Sequence, residues 1–200
     1  GSTEGQFTVC PPEVAAVDPH SVGHARPGRR LEVRDDDGHP VPSGTVGTVW
    51  SSAPRHARFE YWQDPLRTAA AWDGDAFTVH DLGRLDAAGR LTLVGRPGDL
   101  VITGGVNVYP AEVERELLAL DGVGEAVAFG VQDDDWGQRL VAAVTARDVG
   151  VRLVADELLD ALRTRLPAAR VPKQVLVVSD LPRTPTGKVL RTALPDLDRD

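Results

Sequence analysis

The chain has 200 residues, a formal net charge of −8, and 42% hydrophobic against 26% charged residues, an ordinary globular balance with room for one sizeable core or two small ones. The negative charge argues against nonspecific nucleic-acid binding. No apolar run is long enough to span a bilayer, and no signal peptide is visible. The single cysteine, Cys10, has no partner in the chain for a disulfide, which fits a reducing cytoplasm. There is no methionine, so the sequence reads as the C-terminal piece of a longer protein.

In chain order, residues 1 to about 21 read as irregular, because Pro11, Pro12 and Pro19 interrupt any regular element. From Arg30 to Pro97 the pattern is β. Leu31–Arg34 alternates and is followed by the turn run Asp35–Gly38. Val46–Trp50 and Ala76–Val79 predict two further strands, and Leu85 with Leu91–Val94 predicts the arms of a hairpin around a Gly-containing turn. A helical stretch is expected only at Pro65–Ala71. Short strands and tight turns imply a small barrel or bent sheet. The acidic triplets Asp35–Asp37 and Asp133–Asp135 sit beside turns, where carboxylates are usually solvated.

From Gly98 the pattern changes. Pro110 suits the first turn of a helix, and Val113, Leu117, Leu118 and Leu120 follow at helical spacing. Ala126–Val131 and Leu140–Thr145 are apolar strand runs joined by the turn VQDDDWGQR. A second helix is expected over Val154–Leu166, stopped by Pro167, and a last strand over Val175–Val178. The fold class is therefore α+β: a small β-barrel-like section, then a compact α+β lobe, with the joint at Pro97-Gly98.

Several polar residues stand out. Asp81 and Arg96 lie fifteen positions apart, and the hairpin between them would bring both charges to neighbouring strand ends. A carboxylate there can accept hydrogen bonds from vicinal hydroxyls, and a planar guanidinium can reach sugar or phosphate oxygens. Gly104 and Gly105 permit either a positive φ or close backbone approach by a ligand. Lys188 sits in PRTPTGK, a loop of proline and glycine suited to carrying a mobile charge.

Four motifs occur in order: GSTE at Gly1–Glu4, DLGRLD at Asp81–Asp86, GRPGDLVITGGVNVYPAEVE at Gly95–Glu114, and LPRTPTGKVLR at Leu181–Arg191. In these the chain resembles the acyl-CoA synthetases of the adenylate-forming superfamily, which also includes peptide-synthetase adenylation domains and luciferases. The resemblance implies that residues 1–97 are the C-terminal β-rich part of a large AMP-binding domain and residues 98–200 a small mobile C-terminal domain. It implies an ATP- and Mg²⁺-dependent ligase that joins a carboxylic acid, fatty or related, to AMP and then passes the acyl group to the thiol of CoA. Thr3 would contact the nucleotide phosphates and Glu4 the magnesium ion; Asp81 and Arg96 would grip the nucleotide; Gly104 and Gly105 would line the path of the pantetheine arm; Lys188 would be catalytic.

Two positions depart from the family pattern. His80 stands where members usually carry glycine, and Gly98 stands where the hinge is usually aspartate or lysine. The Asn107-Val108-Tyr109 stretch resembles the CoA ligases more than the peptide-synthetase domains. The family's phosphate loop and acyl pocket lie upstream of GSTE, so this piece is expected to be inactive without the N-terminal portion of the same enzyme. An adenylation domain loading a carrier-protein thiol, and a non-catalytic interaction module, are the alternatives.

Overall fold

The structure is a computed structural model that describes residues 1–18 and 21–198. Its contacts divide the chain into two compact units, Gly1–Pro97 and Gly98–Asp200.

The first unit is built on a seven-stranded antiparallel sheet. Its strands are β1 (Thr8–Val9), β2 (Ser21–Ala25), β3 (Leu31–Arg34), β4 (Gly47–Ser52), β5 (Trp72–Asp73), β6 (Ala76–Leu85) and β7 (Leu91–Gly95). They run in the order β1-β2-β7-β6-β4-β3, with β5 also pairing β6. The core beneath the sheet is Val33, Val49 and Leu91, with Val22, Leu31, Val41 and Leu85 packed around it. Phe7, Phe59, Trp72 and Phe77 form a second, aromatic contact set with ring centroids 5.0–5.2 Å apart, edge or tilted as ring quadrupoles favour.

The N-terminal stretch differs from the expectation of irregular chain. Pro11 and Pro12 start a helix, α1 (Pro12–Val17), where Pro12 occupies a position with no amide partner to lose. Strand β2 was hidden because SVGHA carries no alternation. Long-range pairing creates it: β2 joins β7 across a bulge between Ser21 and Gly23, where Gly23 has φ +82° and a Cβ would meet Val9 O at 2.0 Å. The helix expected at Pro65–Ala71 is α2 (Pro65–Ala70), and Asp64 caps it through the Arg67 amide.

The second unit contains β8 (Val101–Thr103), β9 (Val106–Val108), α3 (Pro110–Leu118), β10 (Val123–Asp133), β11 (Gly137–Ala146), α4 (Ala155–Arg165) and β12 (Gln174–Val177). The sheet order is β10-β11-β8-β9, with β12 parallel to β11. Strand β11 is apolar without alternation because both of its faces are covered. Leu140, Ala142 and Val144 face a core with Val113 and Leu117 of α3 and Leu158 and Leu162 of α4. Val141 and Ala143 face a second core with Leu181 and Leu194, which roots the C-terminal segment. Leu118, expected on the apolar face of α3, is 41% exposed. The acidic triplets serve their turns: Asp35 Oδ1 accepts from the Asp37 and His39 amides, and Asp133 Oδ1 from those of Asp135 and Trp136. Among the described residues, no helix is long and apolar enough to cross a membrane.

Candidate active site

In the first unit the hairpin β6–β7 pairs Leu85 with Leu91, Arg84 with Thr92, Gly83 with Leu93 and Leu82 with Gly95. One residue beyond this ladder on each strand, Asp81 and Arg96 meet: Arg96 Nε donates to Asp81 Oδ1 at 3.0 Å. Asp81 is a quarter exposed and Arg96 two thirds exposed. The carboxylate is thus fixed by sheet and partner, while the guanidinium keeps its two terminal amines toward solvent.

A break in the neighbouring ladder aims Asp81. Thr48 pairs with Leu82 but Trp50 pairs with Thr78, so residues 79–81 bulge from β6. His80 sits at the bend with φ +62°, a conformation costly for a side chain with a Cβ and free for glycine. Its amide bonds Thr78 Oγ1 at 2.9 Å, and its ring is exposed. Asp81 lines a small recess whose walls are otherwise largely apolar (Phe7, Val22, Phe77, Val79, Leu91, Leu93).

Gly1–Glu4 forms a tight turn closed by Ser2 N to Gly5 O at 2.8 Å. Glu4 accepts from the Ser2 hydroxyl at 2.6 Å and the Tyr61 hydroxyl at 2.9 Å. The Ser2 hydroxyl, chiefly, holds the Glu4 carboxyl below the usual carboxylate range against the opposing effect of burial. Thr3 beside it is exposed. An ionised carboxylate with one oxygen lone pair left on each side fits Mg²⁺, which keeps most of its waters and takes few protein oxygens.

In the second unit, Gly104 and Gly105 are the two central residues of the β8–β9 hairpin, with φ +55° and +78°, the paired positive values of a twist-matched two-residue turn. Trp136 lies against Gly104, where a Cβ would come within 2.8 Å of the indole ring; Gly105 faces open space. Lys173 Nζ sits 3.8 Å from the Trp136 ring centroid. In the sequence Trp136 is marked only as a large aromatic inside the acidic turn VQDDDWGQR. Gly98 lies in a 3₁₀ turn (Pro97–Asp99). Its φ lies outside the left-handed range and a Cβ would meet nothing within 4 Å, so the described conformation itself does not require glycine.

Lys188 directly follows the turn of a loop closed on itself. Thr184 N donates to Lys188 O at 2.7 Å, Leu190 N to Pro182 O at 2.7 Å, and Gly187 N to Thr184 O at 2.9 Å. Gly187 has φ +84°. The lysine is exposed, and its ammonium has no ion-pair partner among the described residues.

Residues 112–188 match the family of the AMP-binding enzyme C-terminal domain. The long-chain-fatty-acid–CoA ligase FadD13 of Mycobacterium tuberculosis is 35% identical over 174 residues, 87% of this chain and 34% of that protein. The fatty acid–[acyl-carrier-protein] ligase ScoC of Streptomyces coeruleorubidus is 35% identical over 201 residues, 98% of this chain and 38% of that protein. The crystal structure of ATP-bound MatB from Rhodopseudomonas palustris aligns with a TM-score of 0.79 at 35% identity, covering 90% of this chain and 36% of that one. The chain thus spans about a third of the length of the relatives it matches.

Proposed function

The chain belongs to the adenylate-forming superfamily, as a C-terminal section related to its acyl-CoA ligases, and from that premise we propose that it completes an ATP-dependent carboxylic acid–CoA ligase. Such an enzyme first joins the acid to the α-phosphate of ATP, releasing pyrophosphate, and then lets the CoA thiol displace AMP from the acyl-adenylate. The observation that carries this reading is the exposed Lys188 ammonium, without an ion-pair partner among the described residues and held beside the turn of a doubly closed loop, in a chain whose relatives are acid ligases.

Each residue has a role that its surroundings support. Asp81, fixed on the bulge, accepts hydrogen bonds from the ribose hydroxyls. The terminal amines of Arg96, left over from its bond to Asp81, reach ribose or phosphate oxygens. Thr3 offers a hydroxyl to the phosphates, and Glu4 offers the carboxylate oxygen for Mg²⁺, whose charge would offset that of departing pyrophosphate. Lys188 stabilises the charge that gathers on five-coordinate phosphorus and orients the attacking carboxylate. The Gly104-Gly105 turn brings bare backbone to the pantetheine arm in the second step, after the small unit turns about the Pro97-Gly98 joint. No residue forms a covalent bond to substrate; position and charge do the work. A cytoplasmic setting suits this chemistry and the lone cysteine.

The test uses the full-length enzyme with a panel of fatty and aromatic acids. Acid-dependent pyrophosphate release, followed by AMP release on adding CoA, is the expected result; no acid-dependent pyrophosphate release from any member would overturn the reading. ScoC, matched over nearly this whole chain, supports a second reading in which a carrier-protein thiol is the acceptor. That enzyme would turn over with a carrier protein and not with free CoA.

A further inference from the structure

The Lys188 loop is pinned to the sheet on both sides by arginines. Before it, Arg183 pairs with Glu125 on β10, lies 3.6 Å from Asp180, and donates to the Gly187 carbonyl at 3.0 Å. After it, Arg191 meets three acceptors from three elements. It donates to Glu114 Oε1 on α3 at 2.9 Å and to the Ala128 carbonyl on β10 at 3.1 Å, and its Nε lies 3.7 Å from Asp99. Glu114 Oε1 in turn accepts from the Ala128 amide at 3.0 Å. Together Glu114 and Arg191 take both backbone groups of one residue on an edge strand, as a neighbouring strand would. Their side chains are 17% and 37% exposed, half-sheltered, where a hydrogen-bonded charge pair outweighs a surface one. Asp99 immediately follows Gly98, so the same guanidinium ties the first turn of the small unit to the foot of the loop.

We propose that Arg191, with Glu114 as its partner, is the positioning residue that sets where Lys188 stands. The two lie three positions apart, and Leu194, fully buried beyond, holds the segment in the second core. With Arg191 fixed at three points, the short stretch Lys188–Leu190 has little freedom left. Lysine cannot substitute, because one compact ammonium does not span three acceptors as a planar fork does. The inference rests on the proposed adenylation role of Lys188.

The test is made in the full-length enzyme with Arg191→Ala, Arg191→Lys, Lys188→Ala and the Lys188→Ala/Arg191→Ala double variant. Arg191→Ala is expected to lower the kcat of acid-dependent pyrophosphate release by about 10- to 100-fold, the scale of a misplacement near 1 Å. KM for ATP and thioester formation from preformed acyl-adenylate should stay near wild type. Arg191→Lys is expected to recover little of the loss, and it carries the same test should the alanine variant fail to fold. The double variant should adenylate no more slowly than Lys188→Ala alone, since a group acting through Lys188 has nothing to position once it is gone. Wild-type adenylation in both Arg191 variants, an equal loss in both half-reactions, or a further loss in the double variant would overturn the inference. Lys188→Ala with intact adenylation would instead overturn the reading on which it rests.

Discussion

The Asp81–Arg96 pair and the Lys188 loop use charge in opposite ways. In the first unit two opposite charges satisfy each other across a hairpin at 3.0 Å, and the sheet supplies the rigidity. In the second unit the Lys188 ammonium has no ion-pair partner among the described residues, and the rigidity comes from two neighbouring arginines committed to Glu125, Glu114 and backbone. Under the proposed roles, the two differ in when each charge is needed. A grip on a bound ligand can rest closed and exchange one hydrogen bond for another as the ligand enters. A group that must meet charge developing in a transition state works best preorganised and unspent.

Five expectations would break or sharpen that contrast. Lys188→Ala in the full-length enzyme should cost the largest factor, about 10²- to 10³-fold in pyrophosphate release, while sparing thioester formation from preformed acyl-adenylate; equal loss of both steps would erase the distinction. Leu194→Ala, which hollows the core under the loop, should destabilise the small unit by about 3 kcal/mol in chemical denaturation. Arg96→Ala should raise KM for ATP by about tenfold, the worth of a charged hydrogen bond, yet leave stability almost unchanged because the pair is exposed. A stability loss without a KM effect would make the pair merely structural.

The two smallest effects concern local conformation and pH. His80→Gly should stabilise the first unit by about 1 kcal/mol, seen as a raised Tm, by removing a Cβ from a positive-φ bend. No change would mean that the Thr78 contact already offsets the strain. Glu4 has a lowered pKa in the folded state, so the stability it contributes is present above the ordinary glutamate pKa and lost as pH falls through the folded value. Wild type and Glu4→Gln should therefore show parallel stability profiles near neutrality and converge only below about pH 4.3. Divergence at pH 6 to 8 would point to a different group.

Much of the fold was legible where one rule dominated. Proline at the first turn of α3, the alternation of Leu31–Arg34 and the leucine stripe of α4 each left a local mark. The hairpin between Asp81 and Arg96 was legible too, because its turn and its two apolar arms are contiguous in the chain. Strand β2 was not, since SVGHA becomes a strand only by pairing with β7, seventy residues away in sequence. Helix α1 leaves little local mark, because prolines usually interrupt helices whereas Pro12 stands at the first turn, where a helix tolerates it. At Leu118 the helical spacing was right but the burial was wrong, because only packing against β10 and α4 decides how wide the buried stripe is.

The same division holds for the candidate site. The sequence by itself determined which groups are present and in what order, because side-chain chemistry and short-range turns are encoded locally. Only the tertiary structure decided their state. That Asp81 and Arg96 are bonded, that Glu4 is held ionised by Ser2 and Tyr61, that His80 sits at a positive φ, and that Arg191 reaches across to Glu114 and Asp99 all depend on contacts between residues far apart in the chain. Such distances are set by how sheets bulge and cores fill, which no local pattern records.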